Sequence, residues 1–213
     1  MRPFAELAQS STSTLDRLAL AIAAEFRDVD EPAALARLAE LADALVPGET
    51  PVEEGDALAA LLGGRYGFAG NEASYDHPDN SMLDLVLERG AGLPILLSVV
   101  YEEVARRRGI PLHGVGLPGH FVVAHFGEDP PLVYDPFAGG ERIDPDTSPD
   151  LVRVWRPQET ALRILNNLVL SFSRHSELMK AIRAAELRLE LPLAVGTYAE
   201  LEMELRSYRA RLN

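Results

Sequence analysis

The chain has 213 residues, of which 47% are hydrophobic and 25% are charged, and none is cysteine. A domain of this size buries enough surface to fold without disulfides or structural metals. The absence of cysteine excludes thiolate metal sites, iron–sulfur clusters and enzymes with a cysteine nucleophile. No apolar run reaches the roughly 18 residues of a membrane span. The run at 18–24 has the spacing of an amphipathic helix rather than of a signal peptide, so we expect a cytoplasmic protein without a membrane partner.

The formal charge of −13 is unevenly distributed along the chain. Residues 1–150 hold 10 basic and 26 acidic side chains, a net of −16, whereas residues 151–213 hold 10 basic and 7 acidic, a net of +3. An acidic body repels phosphate backbones, so we expect no nucleic-acid partner. We expect the basic C-terminal segment to dock against the acidic body.

Apolar periodicity and Gly/Pro punctuation predict the first elements in chain order. The Ser/Thr-rich residues 1–14 are predicted to be a loose lead-in. Helices are predicted at 15–27, 32–46 and 51–63, followed by an irregular loop over 67–80. Ser81 is predicted to cap a short helix over 82–89, with Asp84 as its capping-box partner.

A helix from Pro94 to Arg108 is predicted to be the buried centre of the fold, because its first half is apolar on every side. Its second half, including Glu103, is predicted to face water. The period then changes to two, which predicts strands over 112–116, 120–126 and 132–135 and a possible fourth near 141–143. Short Gly/Pro connections favour antiparallel neighbours, so the predicted fold class is α+β, with the central helix on a small antiparallel sheet.

The chain returns to helical periodicity over 159–174, 177–190 and 196–211. The small residues Ala181, Ala184 and Ala185 give a pattern that resembles one tetratricopeptide-type helical pair with a fragment of a second, and a plain helical bundle is the alternative. We therefore divide the chain into an N-terminal helical region (1–64), a core (65–150) and a C-terminal helical segment (151–213).

Residues 114–119 match the pattern G-x-G-x-x-G, which is typical of nucleotide-binding loops. A dinucleotide site requires a strand before this motif and a helix after it, whereas here a helix precedes it and a strand follows. We interpret it as a tight turn between strands and expect no nucleotide or other cofactor.

The stretches Arg108–Pro111, His120–Val123 and Tyr134–Pro136 resemble the core of transglutaminase-like enzymes. The resemblance implies a papain-like fold and a catalytic triad made of a Cys at a helix N-terminus, a His on one strand and an Asp on the next. His120 and Asp135 match the His and the Asp, and the position of the Cys falls on Pro94.

The chain is most similar to a bacterial subfamily that lacks this cysteine, is related to a domain of a eukaryotic F-box protein and is commonly followed by tetratricopeptide-type helices. The shared motifs are N-S-x-L at 80–83, G-L-P-I at 92–95, L-P-G-H-F at 117–121 and D-P-F-x-G-G at 135–140. The resemblance implies that the fold persists where the thiol chemistry does not.

Other side chains are weaker candidates for the missing nucleophile. Ser98 lies one helical turn beyond Pro94 on the same face, but it falls among apolar neighbours, which favours a structural hydroxyl. Tyr101 is expected to pack, with its hydroxyl hydrogen bonded.

Pro94 leaves the start of its helix without a side-chain cap, so the N–H groups from Ile95 onward need an acceptor. A small anion or a chain-terminal carboxylate beside His120 would serve, and so would the side chain of Asn80 or another group of the 67–80 loop. We predict Asn80, Pro94, Ile95 and His120 as the ligand-binding residues.

Asp76, His77 and Asp79 form a loop cluster without regular ligand spacing, so we expect no metal site. The leading hypothesis is a non-catalytic protein that binds a protein or peptide through the old cleft or through the C-terminal helices. The alternatives are a cysteine-independent hydrolase of amides, esters or isopeptides that uses His120 and Asp135, with water or Ser98 as nucleophile, and a structural subunit of a complex. The sequence does not indicate the oligomeric state.

Overall fold

The computed structural model describes residues 2–144 and 148–212. The helices are α1 Phe4–Gln9, α2 Leu15–Ala24, α3 Glu31–Ala44, α4 Pro51–Ala59, α5 Leu83–Arg89, α6 Pro94–Arg107, α7 Pro157–Arg174, α8 Leu178–Arg188 and α9 Val195–Ala210. The strands are β1 Ala69–Gly70, β2 Ala91–Gly92, β3 Leu112–Leu117, β4 His120–His125, β5 Leu132–Asp135 and β6 Glu141–Ile143. A π-helical turn, Ala60–Arg65, extends α4, and 3₁₀ turns cover Pro78–Ser81, Pro136–Ala138 and Pro149–Leu151.

The main sheet has the antiparallel order β3-β4-β5-β6, which confirms the predicted α+β class and the fourth strand. Leu117 pairs with His120 across a two-residue loop, so the G-x-G-x-x-G segment ends in the predicted tight turn. Gly119 in that loop has a φ of 74°, a left-handed conformation that glycine adopts without strain. A short parallel pair, β1 with β2, was not predicted.

Helix α6 is the buried centre of the fold, as predicted, and its first eight residues are all buried. One face of the sheet packs against this helix through Phe121 and Val123, which join the main core. The opposite face buries a smaller cluster around Val115, Val122 and Val133. The sheet is therefore covered on both faces.

The C-terminal helices are continuous with the rest of the molecule. Buried residues of α7 and α8, including Leu168 and Ala184, belong to the same hydrophobic core as those of α2 and α6. Arg183 binds Glu25 at 2.8 Å, and Arg174 pairs with Asp76. These ion pairs support the expectation that the basic segment docks on the acidic body.

Three local predictions were wrong. Residues 4–9 form a helix that buries Phe4 and Leu7, although the lead-in around it is polar. Met82 occupies the N-cap of α5 without a side-chain bond, because Ser81 is the last residue of the preceding 3₁₀ turn and its hydroxyl lies buried. Glu103 does not face water: it is 1% exposed and binds Arg106 and Arg107.

The turn after β5 depends on a close approach of two backbones. A Cβ atom added to Gly63 would lie 1.8 Å from the carbonyl oxygen of Gly139, whereas one added to Gly64 would meet nothing nearer than 4.0 Å. Both glycines lie in the turn that extends α4. The turn over 136–140 thus rests directly on Gly63.

We expect Gly63→Ala to lower the free energy of unfolding by about 1–3 kcal/mol, because the backbones must separate to admit the methyl group. Gly64→Ala is the matched control and should be neutral or stabilising by up to about 1 kcal/mol, since alanine favours helical backbone. Urea unfolding of both variants checks this. Equal effects would show that the two backbones do not approach as described.

Candidate functional site

The first residue of β4 and the last residue of β5 meet at one end of the sheet. His120 Nε2 lies 2.8 Å from Asp135 Oδ2, a hydrogen-bond distance. The antiparallel register, with Val123 opposite Tyr134, brings these strand ends together. The side chain of His120 is 31% exposed and that of Asp135 is 15% exposed, so the imidazole remains accessible to solvent. The structure therefore brings the two predicted residues into a His–Asp pair.

The carboxylate of Asp135 is held by a second bond. Its Oδ1 accepts a hydrogen bond from the backbone N–H of Phe137 at 2.9 Å, which closes the turn after β5. The ring of Phe137 stands edge-on to the ring of His120, with centroids 6.4 Å apart. Because both oxygens of Asp135 are engaged, the imidazole is oriented by a carboxylate that is itself fixed.

Tyr101 and Ser98 both lie on α6, the helix that begins at this site. Burial raises the pKa of the Tyr101 hydroxyl above its ordinary value, and the charge of Asp135 adds a smaller upward shift. The phenol is therefore neutral and structural at physiological pH. The side chain packs as predicted, but its hydroxyl has no hydrogen-bond partner among the residues that the structure describes, contrary to the prediction. Ser98 is 0% exposed, and its hydroxyl has no hydrogen-bond partner in the described part of the chain. A fully buried hydroxyl cannot reach a substrate, so this geometry gives no support to Ser98 as a nucleophile.

Helix α6 begins at Pro94 without a side-chain cap, as the sequence predicts. The expected acceptor, the side chain of Asn80, is engaged elsewhere: its amide donates to the carbonyl oxygens of Ser74 and Tyr75. Its Oδ1 accepts from Asn71 at 3.0 Å. Only the backbone oxygen of Asn80 approaches the helix, where it accepts from the N–H of Leu93 at 3.0 Å. The side chain of Asn80 thus forms its hydrogen bonds within the preceding loop and does not cap α6.

A small pocket of about 40 Å³ opens where these elements meet. Its lining residues are Tyr75, Pro94, Ile95, Gly119, His120, Phe121, Arg163 and Asn167. Three of the four predicted ligand-binding residues, Pro94, Ile95 and His120, therefore share one pocket.

Sequence reasoning missed the two residues that α7 contributes, Arg163 and Asn167. Both are partly buried, and neither side chain has a hydrogen-bond or ion-pair partner among residues 2–144 and 148–212. They are four residues apart, so they lie on one face of α7. No sequence signal places that face over the cleft, because the packing of α7 on the body is decided by contacts far apart in the chain.

A second, larger pocket of about 130 Å³ adjoins the first and shares Tyr75 and Asn167 with it. Leu93 and the exposed Leu170 give it apolar walls, and Arg174 closes it beside its partner Asp76. We call the two pockets together the α7 groove.

The loop cluster of Asp76, His77 and Asp79 is occupied by other contacts. Asp76 pairs with Arg174, and Asp79 binds Arg89 at 2.7 Å. Within the described ranges, no group of three or more His, Asp or Glu side chains is arranged to hold a metal ion. No helix in those ranges is long and apolar enough to cross a membrane.

The start of α6 and a His–Asp pair on two neighbouring antiparallel strands lie at one site, which fits the α+β core that the resemblance implies. The comparison with protein families agrees with this class. The model of the transglutaminase-like superfamily matches residues 14–170, most of the chain, and the chain belongs to that superfamily. The match includes α2 to α4 and most of α7, so it extends well beyond the sheet.

Similar proteins occur in bacteria and in animals. A UPF0162 protein of Xylella fastidiosa strain 9a5c is 39% identical over 153 residues, which cover 63% of this chain and 54% of that protein. A UPF0162 protein of Pseudomonas aeruginosa is 33% identical over 128 residues, covering 54% of this chain and 47% of that protein. F-box only protein 21 of the mouse is 38% identical over 68 residues, covering 32% of this chain and 11% of that protein. The chain thus spans about half the length of the bacterial relatives it matches, and no solved structure matches it.

Proposed function

We propose that this protein is a non-catalytic member of the transglutaminase-like superfamily that binds a protein or peptide in the cleft between α6, β4 and α7. The observation that supports this most is the pair Arg163 and Asn167, whose hydrogen-bonding groups line the cleft without a partner in the described structure. Polar groups that line a pocket and form no bond within the protein bond to water when the pocket is empty, so a ligand can take the place of that water.

The chemistry of the cleft favours binding over turnover. The position that corresponds to the nucleophile is Pro94, which offers no reactive group, and the chain contains no cysteine. The retained His–Asp pair then serves as a wall of the cleft and as a hydrogen-bonding group toward the ligand.

A cysteine-independent hydrolase is the second candidate, and one observation favours it. His120 is partly exposed and is held by Asp135 at 2.8 Å, the orientation that a general base requires when it activates water. Such an enzyme would cleave an amide, ester or isopeptide bond without a covalent intermediate.

We predict that His120→Ala leaves the fold intact and weakens peptide binding about tenfold or more, since the variant removes a hydrogen bond and a wall of the cleft. Peptides would be selected from phage libraries of random sequences, and their affinities measured by fluorescence anisotropy. His113→Ala, a histidine in the same sheet that contacts Glu102, is the matched control and should bind normally.

The same variants separate binding from catalysis. Selected peptides and their ester and isopeptide analogues would be incubated with the protein and analysed by mass spectrometry. We expect the peptides to remain intact. Turnover that is abolished by His120→Ala and by Asp135→Asn, but not by His113→Ala, would replace the proposal with the hydrolase. If His120→Ala leaves peptide binding unchanged, the peptide does not bind in the cleft and the proposal is wrong.

A further inference from the structure

The α7 groove has a polar end and an apolar end. Arg163, Asn167, Leu170 and Arg174 are spaced by four, three and four residues, so one face of α7 runs along the whole groove. At the polar end, Arg163 and Asn167 stand opposite His120 and the start of α6. At the apolar end, Leu170 and Leu93 replace them.

The polar end is complementary to a negative charge. Arg163 has no acidic partner among the described residues, whereas Arg174 at the other end of the groove is paired with Asp76. A guanidinium presents a planar fork of donors that matches a carboxylate. The N–H of Ile95 follows Pro94 at the uncapped start of α6 and adds a further donor with the positive end of the helix dipole.

The sizes of the two pockets indicate how large each group of the ligand is. The polar pocket, about 40 Å³, is the smaller of the two and suits a small group such as a carboxylate. The apolar pocket, about 130 Å³, has room for an aliphatic or aromatic side chain. The two share Tyr75 and Asn167, so the carboxylate and the side chain must be close together in the ligand.

We propose that the α7 groove binds the C-terminal residue of a partner polypeptide, with its free carboxylate at Arg163 and its apolar side chain against Leu170. In a C-terminal residue the carboxylate and the side chain leave the same Cα atom, which suits two adjoining pockets. An internal Asp or Glu places its carboxylate at the end of the side chain and leaves the apolar pocket to another residue. This inference rests on the proposed function and specifies the class of partner.

The test uses two phage libraries of the same random sequences, one with free C-termini and one with the C-termini fused to the coat protein. Enriched sequences are synthesised as N-acetylated peptides, each as the free acid and as the C-terminal amide, and their affinities for the full chain are measured by fluorescence anisotropy. We expect enrichment from the free-terminus library of sequences that end in Leu, Phe or a similar residue. Amidation should weaken binding about tenfold or more, because it removes a charge-assisted pair.

The variant Arg163→Gln should weaken binding of the free acid about tenfold and leave the amide unchanged, while Arg163→Lys keeps part of the affinity. Arg206→Gln, which changes an exposed arginine of α9, is the matched control and should bind normally. Since Arg163 has no partner in the described structure, its replacement should not unfold the protein, and thermal melting verifies this.

The outcomes separate the two proposals. Peptides that bind equally well as acid and amide, but are lost with His120→Ala, would overturn this inference and leave the proposed function standing. Peptides that bind irrespective of His120→Ala and Arg163→Gln, or the absence of enrichment from both libraries, would overturn both.

Discussion

Replacing Arg107 with alanine is expected to lower the free energy of unfolding by about 2–4 kcal/mol, because two buried carboxylates each lose a charged partner and only Arg106 remains to compensate them. Arg107 donates to Glu103 Oε2 at 2.6 Å and also pairs with Asp16. Glu103 is 1% exposed and Asp16 is 2% exposed. The arginine thus joins α6 to α2 through a charge cluster inside the protein.

The pKa values of the two carboxylates move in opposite directions. Burial raises the pKa of Asp16. Hydrogen bonds from Thr14 and Arg107, together with the positive charge of Arg107, lower it by a larger amount, so the pKa lies below its usual value. Burial and the charge of Asp16 raise the pKa of Glu103 above its usual value, against the lowering effect of Arg106 and Arg107. Asp16 therefore adds stability that is present above its unfolded pKa and is lost as the pH falls through its folded pKa. Glu103 affects stability in the opposite direction: because its pKa is raised in the folded protein, lowering the pH at this residue favours the folded state.

Removing Arg107 raises the pKa of Glu103 in the folded protein further, because the carboxylate then loses a positive neighbour. We expect the stability difference between the wild type and Arg107→Ala to narrow as the pH is lowered below neutral, because the raised pKa of Glu103 lets it take up a proton before an exposed glutamate does. Adding Glu103→Gln to Arg107→Ala should recover part of the loss at neutral pH, because one buried charge disappears.

Urea unfolding at several pH values measures these effects. Arg108→Ala is the matched control: the neighbouring arginine is exposed and is expected to change stability by no more than about 0.5 kcal/mol. A loss below about 1 kcal/mol for Arg107→Ala, or one that does not depend on pH, would show that the cluster is solvated rather than buried.

A cysteine introduced at position 94 is expected to be a reactive thiolate. If the site keeps the geometry of the superfamily, the variant Pro94→Cys places a thiol at the start of α6 beside His120, and both the helix dipole and the imidazole stabilise its anion. We expect the pKa of this thiol to fall from an ordinary value of about 8.5 to below about 7. Because the chain has no other cysteine, a single label reports on it.

The rate of alkylation by iodoacetamide as a function of pH gives this pKa directly. Pro157→Cys is the matched control, since Pro157 begins α7 and that helix start is not among the residues lining the pocket with His120. We expect Pro94→Cys to react at pH 7 about ten times faster than Pro157→Cys, and the double variant Pro94→Cys/His120→Ala to lose most of the gain. Equal pKa values in the two single variants would contradict the assignment of position 94 to the lost nucleophile.

The elements that the sequence predicts well are those with strong periodicity and clear ends. Strands β3 to β6 alternate and are separated by Gly/Pro turns, and α6 begins at a proline after Gly92-Leu93. The pairing of His120 with Asp135 follows from the same features, because short connections make neighbouring strands antiparallel and bring their ends together. The division into three regions and the tetratricopeptide-like character of the C-terminal helices stay predictions.

The errors concern residues whose surroundings come from distant parts of the chain. Glu103 looks like a surface residue because its neighbours in sequence are charged, yet Asp16 and the two arginines enclose it. The loop residue Asn80 could reach α6 by sequence distance alone, but its own loop uses its amide. Arg163 and Asn167 meet the cleft only because α7 packs across α2 and the loop before α5. No local pattern contains this information.

The measurement that tests the central claim most directly is an NMR titration of the ¹⁵N-labelled chain with a selected peptide that has a free C-terminus. The account predicts shifts at the backbone N–H groups of Ile95 and Gly119, at the imidazole of His120 and at the side-chain amide of Asn167, with the peptide intact at the end of the titration. Shifts confined to α8 and α9, or cleavage of the peptide during the titration, would contradict the claim that the cleft binds a peptide without cleaving it.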